Sequence, residues 1–103
     1  MDMESVAMGI IAHSGEARSL AFDAINAYKE NDFEKAKGLL NEAIKEVNDA
    51  HKAQMDILVA EANGEDVKMN VLLVHAQDHF MTSMLAVDLI KGMIELFESK
   101  KGE

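Results

Sequence analysis

The sequence predicts an all-α fold, an antiparallel three-helix bundle running up-down-up, and three observations predict it. There is no proline in 103 residues and the six glycines are scattered. A chain of that kind favours long uninterrupted helices, whereas a sandwich or barrel needs turn residues at short intervals. Apolar residues recur at helical spacing in three long stretches, with no alternating strand pattern to compete. Only two short polar breaks interrupt them, Glu30-Asn31-Asp32 and Asn63-Gly64, so consecutive helices must fold back on one another.

The first helix is expected over about residues 4–29. Val6, Ile10, Ala17, Leu20, Ala21, Ala24, Ile25 and Tyr28 form one apolar stripe along it. Gly9 and Gly15 lower its helix propensity and read as points of close helix approach. His13 reads as a packed or surface histidine rather than a ligand.

The second helix is expected over about 32–62. Asn31 or Asp32 can cap it, and Glu34 stands three residues after Asn31 as in a capping box. Phe33, Ala36, Leu40, Ala43, Val47, Ala50, Leu58 and Ala62 make its buried stripe. Glu42, Lys45, Glu46, Asp49 and Lys52 make its solvated face. Gly64 is expected in the left-handed position that ends it. The third helix is expected over about 67–99, capped by Asp66, with Lys100-Lys101-Gly102-Glu103 fraying.

At this length residues 1–103 make a single domain. The hydrophobic fraction is 49%, but with one tyrosine, four phenylalanines and no tryptophan the core is thin. A thin core leaves a monomer marginal. The lack of cysteine excludes disulfides, thiolate nucleophiles and thiolate zinc sites. A net charge of −9 argues against nucleic acid as a partner and would steer a basic protein toward the surface. The first residues hold Asp2 and Glu4 rather than a basic leader, and no apolar run reaches membrane length, so a cytoplasmic location is expected.

The third helix is the unusual one. Leu73, Ala76, Phe80, Met84, Val87 and Ile94 fall on one side and should pack on the other two helices. A second line, Val71, Val74, Asp78, Met81, Leu85, Gly92 and Leu96 with Leu89 beside it, runs in near-heptad steps. One helix of a small bundle needs one buried stripe, so a second implies self-association or a partner groove. Asp78 inside that line is costly to bury alone. Copies meeting on a symmetry axis would converge their carboxylates, whose repulsion a shared cation or proton would offset.

His75 and His79, one turn apart, share a third face about 60° from Asp78. Spacing leaves three readings open: a metal-binding pair, two packed histidines, or a nucleophilic imidazole that takes a phosphoryl group. Gln77, Thr82 or His79 could support the last.

Four blocks then carry a resemblance: Gly15-Glu16-Ala17-Arg18-Ser19, Asp32-Phe33-Glu34-Lys35-Ala36, Ala50-His51 with Gln54, and His75-Ala76-Gln77-Asp78-His79-Phe80-Met81-Thr82. In this order, over essentially the whole chain, they resemble the enzyme IIA components of the lactose/cellobiose (N,N'-diacetylchitobiose) family of the bacterial sugar phosphotransferase system (PTS). The resemblance implies a homotrimer of three-helix subunits with coiled-coil-like third helices. It implies that His75 accepts phosphate from the carrier protein HPr and passes it to a cysteine of a IIB component. Which imidazole nitrogen reacts stays open. Gln77 and His79 take supporting roles, and Asp78 lies on the three-fold axis, where a divalent metal such as Mg2+ can bind. No organic cofactor is implied, and His13 and His51 inherit no role.

Phe80 stands where the family often has leucine, and Ala76 follows the cellobiose-like branch, which leans toward a β-glucoside or chitobiose. Sugar recognition would belong to the membrane IIC component. Two rival functions are a non-catalytic helical oligomer holding metal through His75 and His79, and a regulatory phospho-adaptor.

Overall fold

The computed structural model describes residues 2–101, and their regular structure consists of three α-helices: α1 (Met3–Lys29), α2 (Phe33–Ala62) and α3 (Val71–Lys100). Two apolar clusters fix their directions. One joins Ala17, Ala21, Ala24 and Tyr28 late in α1 to Ala36 and Leu40 early in α2 and to Val87, Ile90 and Ile94 late in α3. The other joins Ala7 and Ile10 early in α1 to Ala50 and Ile57 late in α2 and to Leu73, Ala76 and Phe80 early in α3. Hence α1 and α3 run parallel, with α2 antiparallel to both. The result is a rod of 55 × 19 × 18 Å.

The α1–α2 connection is three residues long and every one has a task. Asn31 takes the left-handed conformation (φ 65°), and its amide donates to the Tyr28 carbonyl while the Asp32 amide donates to that of Ala27. That bonding pattern closes α1. The Asp32 carboxylate then accepts from the Lys35 amide and opens α2. Asp32 is therefore the cap and Asn31 the stop, so the box expected between Asn31 and Glu34 does not form.

α2 ends in the same way. Gly64, with φ 89°, donates to the Glu61 carbonyl and the Glu65 amide to that of Ala60. A Cβ there would meet no neighbouring atom, so only the backbone conformation opposes a side chain. Gly64→Ala should cost about 1–2 kcal/mol, read as a lower urea midpoint at unchanged slope.

Several sequence expectations need correction. α3 starts at Val71, four residues later than expected, because Asn70 rather than Asp66 caps it. The Val67–Asn70 stretch is mostly exposed, so packing gains little there to offset the ordering of four more residues. Asn70 also serves better as a cap than inside a helix. In the last third of α2 the buried residues are Ile57 and Ala60, while Leu58 and Ala62 are exposed. Seven residues after Ala50 the side chain returns to the core, whereas eight turn it about 80° away. Gly9 and Gly15 mark no close approach, since a Cβ at either would meet open space. Lys100 belongs to the last turn of α3 and Lys101 caps it; Gly102 and Glu103, the rest of the expected frayed tail, lie outside the described residues, as does Met1.

Between the two apolar clusters the bundle has a polar waist. Ser14 of α1 and Ser83 of α3 are fully buried there, and neither hydroxyl is hydrogen-bonded to another protein group.

Candidate functional site

The polar segment of α3 is positioned by its inner face. Leu73, Ala76 and Phe80 are buried against the first two helices, which holds the residues between them on open faces. The Asn70 side chain accepts from the Leu73 amide at 2.8 Å and so sets the first turn. His75 therefore stands in the second turn of a capped helix. Asn70→Ala should lower stability by about 1 kcal/mol and raise hydrogen exchange at Leu73, both measurable with His75 intact.

The two imidazoles meet. Nε2 of His75 and Nε2 of His79 are 3.0 Å apart, and the rings lie edge-on with centroids 4.4 Å apart. At that distance the rings are hydrogen-bonded, one nitrogen donating a proton that the other accepts. His75 is exposed and His79 half-buried, so the pair sits on the surface with an inner and an outer member.

Gln77 and Thr82 are engaged away from the imidazole pair, Gln77 on the different face that its spacing gives it. The Gln77 Oε1 accepts from Nε2 of Gln54 on α2, so its carboxamide is held by the neighbouring helix rather than by His75. Thr82 donates its hydroxyl proton to the Asp78 carbonyl at 2.8 Å, which removes it as a donor to a ligand. Asp78 is exposed, on the face that carries Val74, Met81 and Leu85. The whole second apolar line stays uncovered in the single chain: Val71 is 85% exposed, and Leu85, Leu89 and Leu96 are each more than half exposed. His51 packs its ring against Phe80, at 5.8 Å between centroids.

A contact invisible in the sequence joins α1 to α2. His13 Nδ1 lies 2.6 Å from a carboxylate oxygen of Glu46, across a separation of 33 residues. Asp49 brings a further carboxylate to the same place. Helical periodicity puts Glu46 and Asp49 on a solvated face but says nothing of what faces them.

A concavity lined by Tyr28, Phe33, Leu40, Ile94, Glu98 and Lys101 lies at the opposite end of the rod from His75. The imidazole pair instead stands on an open helix face. No helix among the described residues is long and apolar enough to cross a membrane. These features define a class: a small helical bundle whose reactive side chains stand where a partner protein's reactive group, rather than an engulfed small molecule, can reach them.

Comparison with known proteins narrows the class. The family model described as "PTS system, Lactose/Cellobiose specific IIA subunit" matches residues 5–98. The chain is 43% identical over 101 residues to the lactose-specific EIIA component of Staphylococcus epidermidis, covering 98% of this chain and 95% of that one. Its fold matches the crystal structure of the cellobiose-specific enzyme IIA of Bacillus anthracis with a TM-score of 0.91 at 31% identity, over 100% of this chain and 94% of that chain. It also matches the solution structures of the IIA(Chitobiose)–HPr complex of the Escherichia coli PTS, at TM-score 0.77 and 41% identity over 98% of both chains. The chain belongs to the lactose/cellobiose-specific IIA family of the sugar phosphotransferase system, and is a phosphotransferase-system component.

Proposed function

We propose that the chain is a cytoplasmic phosphoryl carrier that takes phosphate from phospho-HPr onto Nε2 of His75. It then hands the group to a IIB cysteine during uptake of a β-linked disaccharide such as cellobiose, chitobiose or lactose. The observation that carries this reading is the 3.0 Å contact between the exposed His75 Nε2 and the His79 Nε2. With the proton on His79, the His75 nitrogen holds the lone pair and is the nucleophile. As the donor docks, the His79 hydrogen bond opens and frees that lone pair, which attacks phosphorus while the donor's N–P bond breaks and its electron pair stays on the donor ring. In the second step a IIB thiolate attacks phosphorus and the His75 N–P bond breaks in turn. Once His75 carries the phosphoryl group, the His79 N–H can bond a phosphate oxygen instead of the ring.

The surroundings support the same chemistry. The uncovered apolar line beside His75 suits both a subunit seam and a docking rim that excludes water. The net charge of −9 suits a basic donor. A zinc site at the histidine pair is the weaker reading, because no third histidine or acidic ligand joins the pair among the described residues.

The second apolar line is best used in a homotrimer whose α3 helices pack about a three-fold axis. Asp78, a carboxylate set among exposed Val74, Met81 and Leu85, would bring one hard oxygen ligand per subunit to that axis. Such a set fits a divalent cation of the Mg2+ type, which would supply neutralisation of the clustered charge. The membrane IIC component would be met indirectly, through IIB. The test is incubation with phosphoenolpyruvate, enzyme I and HPr, followed by intact mass. One acid-labile phosphoryl group per chain is expected, and an unlabelled chain overturns the reading.

A further inference from the structure

The phosphoryl-carrier reading leaves one cluster unused. His13 of α1 faces Glu46 and Asp49 of α2, and one ligand atom from each lies within 4.8 Å of the other two. Glu46 and Asp49 are three residues apart and so share a helix face. All three side chains are half-buried in the α1–α2 groove rather than free on the surface. The cluster is distinct from Asp78 and from the His75–His79 pair.

We propose that His13, Glu46 and Asp49 form a divalent transition-metal site that staples α1 to α2. The donor set decides the class. One neutral imidazole and two carboxylates carry a charge of −2, which matches a divalent cation. The imidazole ligand suits zinc and the two carboxylates also admit manganese, whereas magnesium and calcium favour oxygen alone. Three protein ligands leave a tetrahedral zinc one position for water. The hydrogen bond between His13 Nδ1 and Glu46 holds the site together when no metal is bound; metal takes the proton's place, and the 2.6 Å His13–Glu46 contact opens to admit the ion between them.

The position gives the staple a purpose. His13 neighbours Ser14 in α1, so the cluster lies at the waist between the two apolar clusters, where the buried hydroxyls of Ser14 and Ser83 lack protein partners. Among the described residues, Val47 alone packs against both apolar clusters there, so a cross-link between α1 and α2 adds to thin packing.

The test is a zinc titration of the full chain, followed by calorimetry and thermal melting, in wild type and in variants. Zinc is expected to bind wild type and raise its melting temperature, because a ligand specific to the folded state stabilises it. Glu46→Gln and Asp49→Asn, near-isosteric and partly solvated, should each weaken binding by about tenfold or more, since even outer-shell changes reach that size. The double variant His75→Ala/His79→Ala should keep the same affinity and the same melting shift. Manganese added to isotope-labelled protein should broaden resonances around His13 and Glu46. Absence of zinc binding to wild type overturns the proposal. So does binding that survives both carboxamide variants once Asp78 is also replaced by leucine, or that disappears with the His75/His79 pair. Loss of HPr-dependent labelling would bear on the carrier reading alone.

Discussion

His75→Ala is expected to abolish HPr-dependent phosphorylation while leaving helicity and oligomeric state unchanged. The side chain is exposed, and its one side-chain hydrogen bond runs to His79 on the same helix. Its removal therefore opens no cavity and strands no buried donor, and the change in stability should stay within about 0.5 kcal/mol. The loss of labelling should be complete, because the other imidazole of the segment, His79, is half-buried while His75 is exposed. Gln77 is held by Gln54, and the Thr82 proton is engaged by a backbone carbonyl. Intact mass after incubation with the donor system separates the outcomes. Label retained at another histidine, such as His79 or His51, would sink the assignment. In the wild type, nitrogen-15 and phosphorus-31 NMR should show phosphorus bonded to Nε2 rather than Nδ1.

Asp78→Leu is expected to preserve the oligomer and strengthen it. In the proposed three-fold seam of Val74, Met81 and Leu85, three converging carboxylates would repel one another unless a cation joined them. Replacing buried charge by hydrophobic side chains of similar size is often neutral or stabilising, by about 1–4 kcal/mol. Light scattering should therefore return the same mass for variant and wild type, with a higher melting temperature for the variant. With magnesium as the only divalent ion present, its removal should lower the wild-type melting temperature and leave that of the variant unchanged. Dissociation of Asp78→Leu into monomers would count against the axial placement.

The core and the helix ends differ in how far the sequence foretells them. The inner face of α3 reads directly from its period, and Leu73, Ala76, Phe80, Val87 and Ile94 are all buried. Ser83 and Ile90 on the same face are buried too, although the apolar pattern did not single them out. The start of α3 was misplaced because two cap-competent residues, Asp66 and Asn70, compete in one polar stretch. Local preference cannot choose between them; the scarcity of contacts for residues 67–70 does. The error in α2 has another origin, since Leu58 and Ile57 are equally apolar and only the phase carried from Ala50 separates them.

By itself the sequence determined the helices, their order and direction, and the presence of a second apolar line on α3 with a carboxylate in it. Those features follow from periodicity and short connections, which are local properties of a chain. Spacing also put His75 and His79 on one face, without choosing between metal, packing and nucleophile. The tertiary structure decided what each polar side chain meets. It turned Gln77 toward Gln54, brought the two Nε2 atoms within 3.0 Å, and set His13 against Glu46 and Asp49. Contacts across 33 residues depend on the rotation of each helix about its axis, and that rotation is fixed by packing of the whole core. No stretch of sequence read alone contains it.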